Sequence, residues 1–441
     1  MEKIKTYWGV KPLDNRKIIQ VEDKVPAKLL VPLSIQHMFA MFGASVLVPF
    51  IFGINPAIVL FMNGIGTLLF ILITKGKAPA YLGSSFAFLA PAGVVISQWG
   101  YQYAQGGFVA VGAIGCILAL IIYKFGTDWI NVVLPPAAMG PVVALIGLEL
   151  AATAAQTGLI VPTDAVPQVQ TGNVIVFCVT LGVAVFGNVL FRGFLSVIPI
   201  LIAIISGYVA ALVTGVITSA NIMEALAQPI FQLPHFQLPL FKPEAIAIIM
   251  PVILVIASEH IGHQIVTSKI IGRDLLKDPG LHRSLFADNF STMLSGFIGS
   301  VPTTTYGENI GVMAMTKVYS VRVIGGAAVL SIICSFIGPL AALIQTIPGP
   351  VIGGISFLLY GMIGTSGIRI LVDHGVDYSK NRNLTLTSVI FVVGLSGVSL
   401  SIGDVQFKGM VLSALVGMAL SLIFYIFDKL KLSNDLPQEK G

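Results

Sequence analysis

Apolar runs of about 20 residues recur from one end of this chain to the other, and each can cross the ~30 Å hydrocarbon core of a bilayer as a helix. Fourteen can be placed: 29–49, 54–74, 80–98, 107–125, 129–154, 172–191, 195–218, 243–268, 284–299, 301–316, 320–345, 349–371, 384–402 and 407–427. The third and tenth are short and interrupted and the ninth is only just long enough, so twelve or thirteen is the competing count. A soluble fold is excluded by charge. Only 10% of the 441 residues are charged and the mean hydropathy is +0.92, whereas soluble domains carry about 25% charged residues.

Loop charges test the count. With fourteen spans and a cytoplasmic N-terminus, 23 of the 25 Lys and Arg fall on the cytoplasmic side, and Lys242 and Lys408 fall outside. Basic residues are retained on the cytoplasmic side of membrane proteins, and a miscount of two or three spans would destroy this bias. Both termini are therefore expected in the cytoplasm, and the net charge of +5 belongs to topology rather than to nucleic acid. The chain opens on the charged stretch "MEKIKTYWGVKPLDNRK", so no cleavable signal peptide is expected. Cys116, Cys178 and Cys334 each sit in an apolar run and read as small core residues without a disulfide framework.

The two halves of the chain resemble each other. "SIQHMFAMFGAS", from Ser34, lines up with "ASEHIGHQIVTS", from Ala257: Gln36-His37 matches Glu259-His260, and Ser45 matches Ser268, at an offset of 223. Phe61, Thr67 and Leu69 match Phe286, Thr292 and Leu294 at an offset of 225. Ser85 returns to offset 223, opposite Glu308, and "PAAMG" (136–140) resembles "PVIGG" (350–354). Seven spans per half is an odd number, so the second half must be inverted relative to the first. The expected fold class is an all-α polytopic membrane protein with 14 transmembrane segments in a 7+7 inverted repeat.

Two stretches resist the helical reading. "AYLGSSFAF" (80–88) and "TTTYGENIG" (303–311) combine β-branched or small polar residues with glycine inside apolar surroundings. Non-helical backbone cannot face lipid, because each unpaired N–H or C=O there costs several kcal/mol. The two stretches occupy corresponding places in the halves, so they are expected to pair as short extended strands in segments 3 and 10 near the midplane. Each then runs into a half-helix whose positive end points at the centre. An ordinary pair of kinked helices is the alternative.

The motifs "QHMFAMFGA" (36–44), "PAYLGSSFAF" (79–88), "EHIGHQIVT" (259–267), "DPGLHRS" (278–284) and "TTYGENIGVMAMTKVYS" (304–320) resemble those of the nucleobase–ascorbate transporter family, also called nucleobase–cation symporters of the second kind. The likeness runs from about Pro32 to about Phe427, and Glu308 at the head of "ENIGVMAMTK" points to its bacterial uracil-transporting branch. The resemblance implies a core domain (29–125 and 243–345) and a gate domain (126–220 and 346–427), flanked by cytoplasmic segments 1–28 and 428–441. It further implies a homodimer packed through the gate domains in the bacterial cytoplasmic membrane.

Ionisable residues inside spans are functional suspects by default. Glu259 and His263 are four apart and share a face of span 8. His260 lies about 100° round, and structural burial competes there with a functional role. Glu308 sits where the half-helix begins. His37 is expected to hydrogen-bond within the core together with Gln36, whereas Glu149 and Asp288, near span ends, read as solvated or interfacial. Arg273, Asp274, Lys277 and Asp278 belong to a loop and are assigned no chemistry.

Uracil offers two N–H donors and two carbonyl acceptors on a flat ring. The resemblance implies Glu259 and Glu308 as acceptors, the backbone N–H groups of Phe86 and Gly307 as donors, and Tyr306 and Tyr360 as pocket lining. His263 would form a proton-linked network with Glu259, and the two acids, repelling each other at low dielectric, would supply a proton-coupling site together with it. The function implied is proton-coupled uracil import, with no enzymatic activity, no metal and no cofactor beyond the proton gradient. No GxxxxGK[ST] phosphate loop is present. A purine or xanthine symporter of the same family is the alternative, and an anion transporter of the same fold is disfavoured by the absence of Arg or Lys within either interrupted stretch. A channel or receptor is a further class, separable by pH-dependent accumulation.

Overall fold

The computed structural model describes residues 18–126, 128–162, 167–403 and 405–434. The expected cytoplasmic segments at 1–17 and 435–441 lie outside the described residues. The first half contains α1 (Ala27–Ala40), α2 (Phe42–Phe52), α3 (Pro56–Ile73), strand β1 (Leu82–Ser84), a 3₁₀ turn Phe86–Phe88 that runs into α4 (Leu89–Trp99), α5 (Tyr101–Phe125), α6 (Asp128–Val133), α7 (Pro136–Glu149), α8 (Ala151–Thr157), α9 (Thr171–Leu190) and α10 (Pro199–Val213). A connecting helix, α11 (Ser219–Leu226), and an extended strap lead to the second half. There follow α12 (Pro243–Ile249), α13 (Val252–Ile271), α14 (Leu281–Ile298), strand β2 (Thr303–Thr305), α15 (Gly307–Thr316), α16 (Val321–Ser335), α17 (Gly338–Gln345), α18 (Gly349–Asp373), α19 (Asn381–Leu395), a hairpin of β3 (Ser399–Ile402) with β4 (Val405–Lys408), and α20 (Gly409–Lys429).

Local sequence explains many of the boundaries. Pro stands at the first or second position of α3, α7, α10, α12 and α18, where its missing N–H would be unpaired anyway. Asn55 caps α3 by accepting from the N–H of Ala57 at 2.8 Å. Gly299, at φ 96°, ends α14 and turns the chain toward β2. Among the described residues eight helices are long and apolar enough to cross a membrane, and three shorter apolar helices, Phe86–Trp99, Pro199–Val213 and Val321–Ser335, join them. The apolar run expected to continue as a helix to 402 stops at Leu395, and Ser399–Ile402 forms an exposed hairpin strand instead.

Packing partners are exchanged between the halves. α3 lies against α16 while α14 lies against α5, and α7 lies against α18. α9 packs on α10 and α18, whereas α19 packs on α20 and α7. Small residues let these backbones approach: a Cβ added at Gly112 of α5 would meet the Met293 nitrogen of α14 at 2.5 Å.

The strand pair sits inside this packing. β1 and β2 run antiparallel, with Leu82 opposite Thr305, Gly83 opposite Thr304 and Ser84 opposite Thr303. Every residue of both strands is buried. The pairing closes with two matching bonds, Ser85 N–H to Pro302 O at 2.8 Å and Tyr306 N–H to Tyr81 O at 3.3 Å. These two bonds identify equivalent positions: Ser85 corresponds to Tyr306 and Phe86 to Gly307. The correspondence of Ser85 with Glu308 read from the sequence is therefore two residues out of register, because strands of three residues hold too little sequence to fix an alignment.

A segment before α1 is stapled across one end of the bundle. Ile19 pairs in parallel with Val318, its N–H donating to Lys317 O at 3.0 Å and its carbonyl accepting from Tyr319 N at 2.8 Å. Arg273 Nη2 donates to Glu22 at 2.8 Å, and Lys77 bonds Asp278 at 2.7 Å. Arg273 and Asp278, which carried no chemistry in the sequence reading, thus tie the loop after α13 to the segment before α1 and to the loop before β1, and Ile19 ties that segment to the loop after α15. Among the described residues the cysteines form no disulfide; Cys116 and Cys334 are half-buried, and Cys178 is exposed on α9 rather than in the core.

Candidate functional site

The first turn of a helix leaves its N–H groups without intrahelical partners. Both half-helices begin this way beside the strand pair. Ser85 stands at the N-cap of the 3₁₀ turn and Tyr306 at the N-cap of α15, and neither side chain caps its helix. The donors of Phe86 and Gly307 therefore start at equivalent places on the two sides of one small sheet.

α13 supplies the side chains that face this sheet; it packs against β2, α15 and the 3₁₀ turn. His263 Nδ1 lies 3.1 Å from the Thr305 hydroxyl, and a Cβ added at Gly307 would stand 3.4 Å from His263 Nε2. The imidazole thus points its second nitrogen at the start of α15. Glu259, one turn earlier on α13, lies on the helix that packs against α15, which carries Glu308, and its Oε2 is buried without a hydrogen-bond partner in the protein. Across the site the ring of Phe86 meets that of Tyr360 edge-on, with centroids 6.2 Å apart. The Tyr360 hydroxyl is also buried and unpartnered.

Tyr306 is used differently from its neighbours. Its ring covers Gly83, where an added Cβ would collide with it, and its hydroxyl donates to Ser84 O at 3.2 Å. The phenol therefore braces β1. Glu259, His263, Glu308, Gly307, Tyr306, Phe86 and Tyr360 all gather around the strand pair.

Five further residues gain a place that sequence reasoning left open, misassigned or missed. Asp288, expected to be solvated or interfacial, is fully buried, and its Oδ2 lies 3.7 Å from His260 Nδ1. Neither carboxylate oxygen has a hydrogen-bond partner within the protein. The position looked terminal only because α14 starts with a polar turn; the helix then carries Asp288 inward against α13. His260 is likewise fully buried. Its Nε2 pairs with Ser284 at 3.0 Å, and its Nδ1 lies 3.5 Å from the same Thr305 hydroxyl that meets His263. His37 bonds Asn309, with Nδ1 3.1 Å from the amide nitrogen, rather than working through Gln36. Asn309 in turn accepts from the N–H of Tyr81 at 3.2 Å, so it ties α1, the entry to β1 and α15 together. Its position beside Glu308 in the motif was the available signal. Glu149 accepts from Met410 N–H at 2.9 Å and caps α20.

A polytopic helical chain that opens two half-helices onto a buried polar centre is built as a membrane transporter. Solved structures carry the same fold at low identity. The transmembrane domain of a cyanobacterial bicarbonate transporter, BicA, aligns with a TM-score of 0.58 and 13% identity, over 94% of this chain and 100% of that one. Murine Solute Carrier 26 family member A9, an anion transporter in the inward-facing state, aligns with a TM-score of 0.70 and 12% identity, over 92% and 69%. At the sequence level a profile described as "Permease family" (Xan_ur_permease) matches residues 28–402. Proteins named "Uracil permease" are 52% identical in Paenibacillus larvae (95% of this chain, 99% of that protein) and 52% identical in Escherichia coli strain K12 (95% and 96%). One in Bacillus subtilis strain 168 is 46% identical (89% and 92%). The chain belongs to the nucleobase–ascorbate transporter family.

Proposed function

We propose that this protein imports uracil across the bacterial cytoplasmic membrane, coupled to inward movement of protons. The observation that carries the substrate is the near-half identity, along almost the whole chain, to proteins named uracil permease. The site offers matching chemistry. Glu259 and Glu308 can accept from the two uracil N–H groups, while the uncapped N–H groups of Phe86 and Gly307 can donate to its carbonyls. Tyr360, edge-on to Phe86, lines the ring, while Tyr306, expected as pocket lining, supports the site from behind by bracing β1. Charge-assisted bonds of this kind contribute about 1.5–3 kcal/mol each.

Two nearby carboxylates in apolar surroundings repel when both are ionised. A proton on one removes that repulsion while the other still accepts from uracil. Coupling requires that this proton be held more tightly when uracil is bound, and a bound base that covers the two acids and excludes water favours the protonated form. His263, joined to Thr305 and facing the start of α15, is the third proton-holding group.

The architecture proposed for transport is fourteen spans in a 7+7 inverted repeat, both termini cytoplasmic. The exchanged packing of α3, α5, α14 and α16 and the self-paired contact of α7 with α18 support a two-fold relation between the halves. A core domain (29–125 and 243–345) would move against a gate domain (126–220 and 346–427), and two copies would pack through their gate domains. An anion as cargo, suggested by the names of the fold relatives, meets two carboxylates in this site and is disfavoured. Radiolabelled uracil uptake into proteoliposomes, with and without an inward proton gradient, tests the proposal. Uptake that ignores the gradient would remove coupling; uptake of xanthine but not uracil would reassign the substrate.

A further inference from the structure

A two-stranded sheet inside a membrane protein has two free edges. The bonds at Ser85–Pro302 and Tyr306–Tyr81 set the alternation, so the N–H and C=O groups of Leu82 and Thr303 point outward from the pair. No lipid can satisfy them. The structure shows what does. In the first half the N–H of Leu82 donates to the Thr67 hydroxyl of α3 at 2.9 Å. In the second half the N–H of Thr303 donates to the Thr292 hydroxyl of α14 at 3.2 Å, and that hydroxyl donates back to Thr303 O at 2.7 Å. Both threonines are almost fully buried, and Leu82 and Thr303 are equivalent under the correspondence of Ser85 with Tyr306.

We infer that Thr67 and Thr292 are a matched pair of positioning residues, each holding the outer edge of one strand so that the half-helix behind it presents its first N–H to the substrate. This inference rests on the uracil reading for its affinity readout. The two clamps are unequal. The Thr67 proton goes mainly to Asn63 O of its own helix at 2.7 Å, with Leu82 O at 3.5 Å, so Thr67 effectively makes one bond to its strand. Thr292 makes two, on the strand that leads to Gly307 and Glu308. The hydroxyl is the working group. Serine keeps it, and valine keeps the shape without it.

The experiment compares Thr292→Val, Thr292→Ser, Thr67→Val and Thr67→Ser in the full-length protein. It reads uracil affinity directly, and it reads amide hydrogen exchange over 79–88 and 301–308. Thr292→Val should weaken uracil binding by about 10-fold or more and speed exchange at 301–308, and Thr67→Val should cost about 3- to 10-fold with faster exchange at 79–88, the scale of one to two lost hydrogen bonds. Both serine variants should stay near wild type. Valine variants with wild-type affinity and exchange would overturn the inference, as would serine variants impaired as much as valine. If Thr292→Val does not fold, Thr67→Val with its serine control decides the matter. If wild type itself binds no uracil, the substrate reading fails, while local exchange still tests the clamps.

Discussion

Segments 82–88 and 303–309 enter their helices by the same route. Each is a three-residue strand held at its outer edge by a threonine and followed by a helix start without a side-chain cap. Their side chains then diverge. The first presents the buried ring of Phe86 followed by Ala87; at the equivalent places the second presents Gly307, whose backbone is exposed, and Glu308. His263 and His260 both reach Thr305 on the second strand, whereas Asn309 reaches back to Tyr81 on the first. The scaffold is repeated, while Glu259, His260, His263, Asp288 and Glu308 all belong to one copy. A symmetric frame leaves paired backbone N–H groups uncapped, and in the proposed mechanism the side chains that break the symmetry supply the acceptors and the proton site.

Glu259→Ala should break this arrangement most severely. In the proposed mechanism it removes an acceptor and a proton partner together, so binding and gradient-driven accumulation should both be lost when measured on the same purified protein. Binding that survives would separate α13 from substrate recognition. Glu308→Gln brings the second half-helix closer to the neutral first one while keeping its shape. Direct binding should weaken by about 1–3 kcal/mol, the scale of a hydrogen bond to a charged group; unchanged affinity would take Glu308 out of the site.

His263→Ala sharpens the comparison from the other side. Uracil binding should remain measurable while most accumulation disappears across pH 5 to 8, because this residue bonds Thr305 and its proposed role is to hold the proton. An unchanged pH profile of uptake would move the proton site to Glu308. The smallest effect belongs to the segment before α1, residues 18–23. The Arg273 guanidinium beside Glu22 holds its carboxyl below the usual carboxylate range. The stabilisation from this pair is therefore fully present above the ordinary range and is lost as pH falls through the lowered value. Glu22→Gln should loosen residues 18–23 by under about 1 kcal/mol, as for exposed ion pairs. Amide exchange of this segment should show the effect at neutral pH, with little in strong acid; equal exchange in both proteins at neutral pH would make the pair silent.

Sequence alone determined the class of this molecule. Too few charges and repeated apolar runs allow nothing but a multi-pass membrane protein. The two stretches poor in helix formers marked where strands would sit, since irregular backbone is tolerated there only if it is paired or lines a cavity. The spacing of Glu259 and His263 placed both on one helical face, a local property that requires no tertiary information. What stayed hidden depends on contacts between elements distant in the chain. The burial of Asp288 against His260, the link from Asn309 to His37, the tie of Glu22 to Arg273 and the true register of the two half-helices are set by how α13 and α14 pack on the strand pair. Apolar periodicity carries no record of such pairings, because in a chain buried on nearly every side many faces are equally greasy, and only the packed structure decides which polar groups meet.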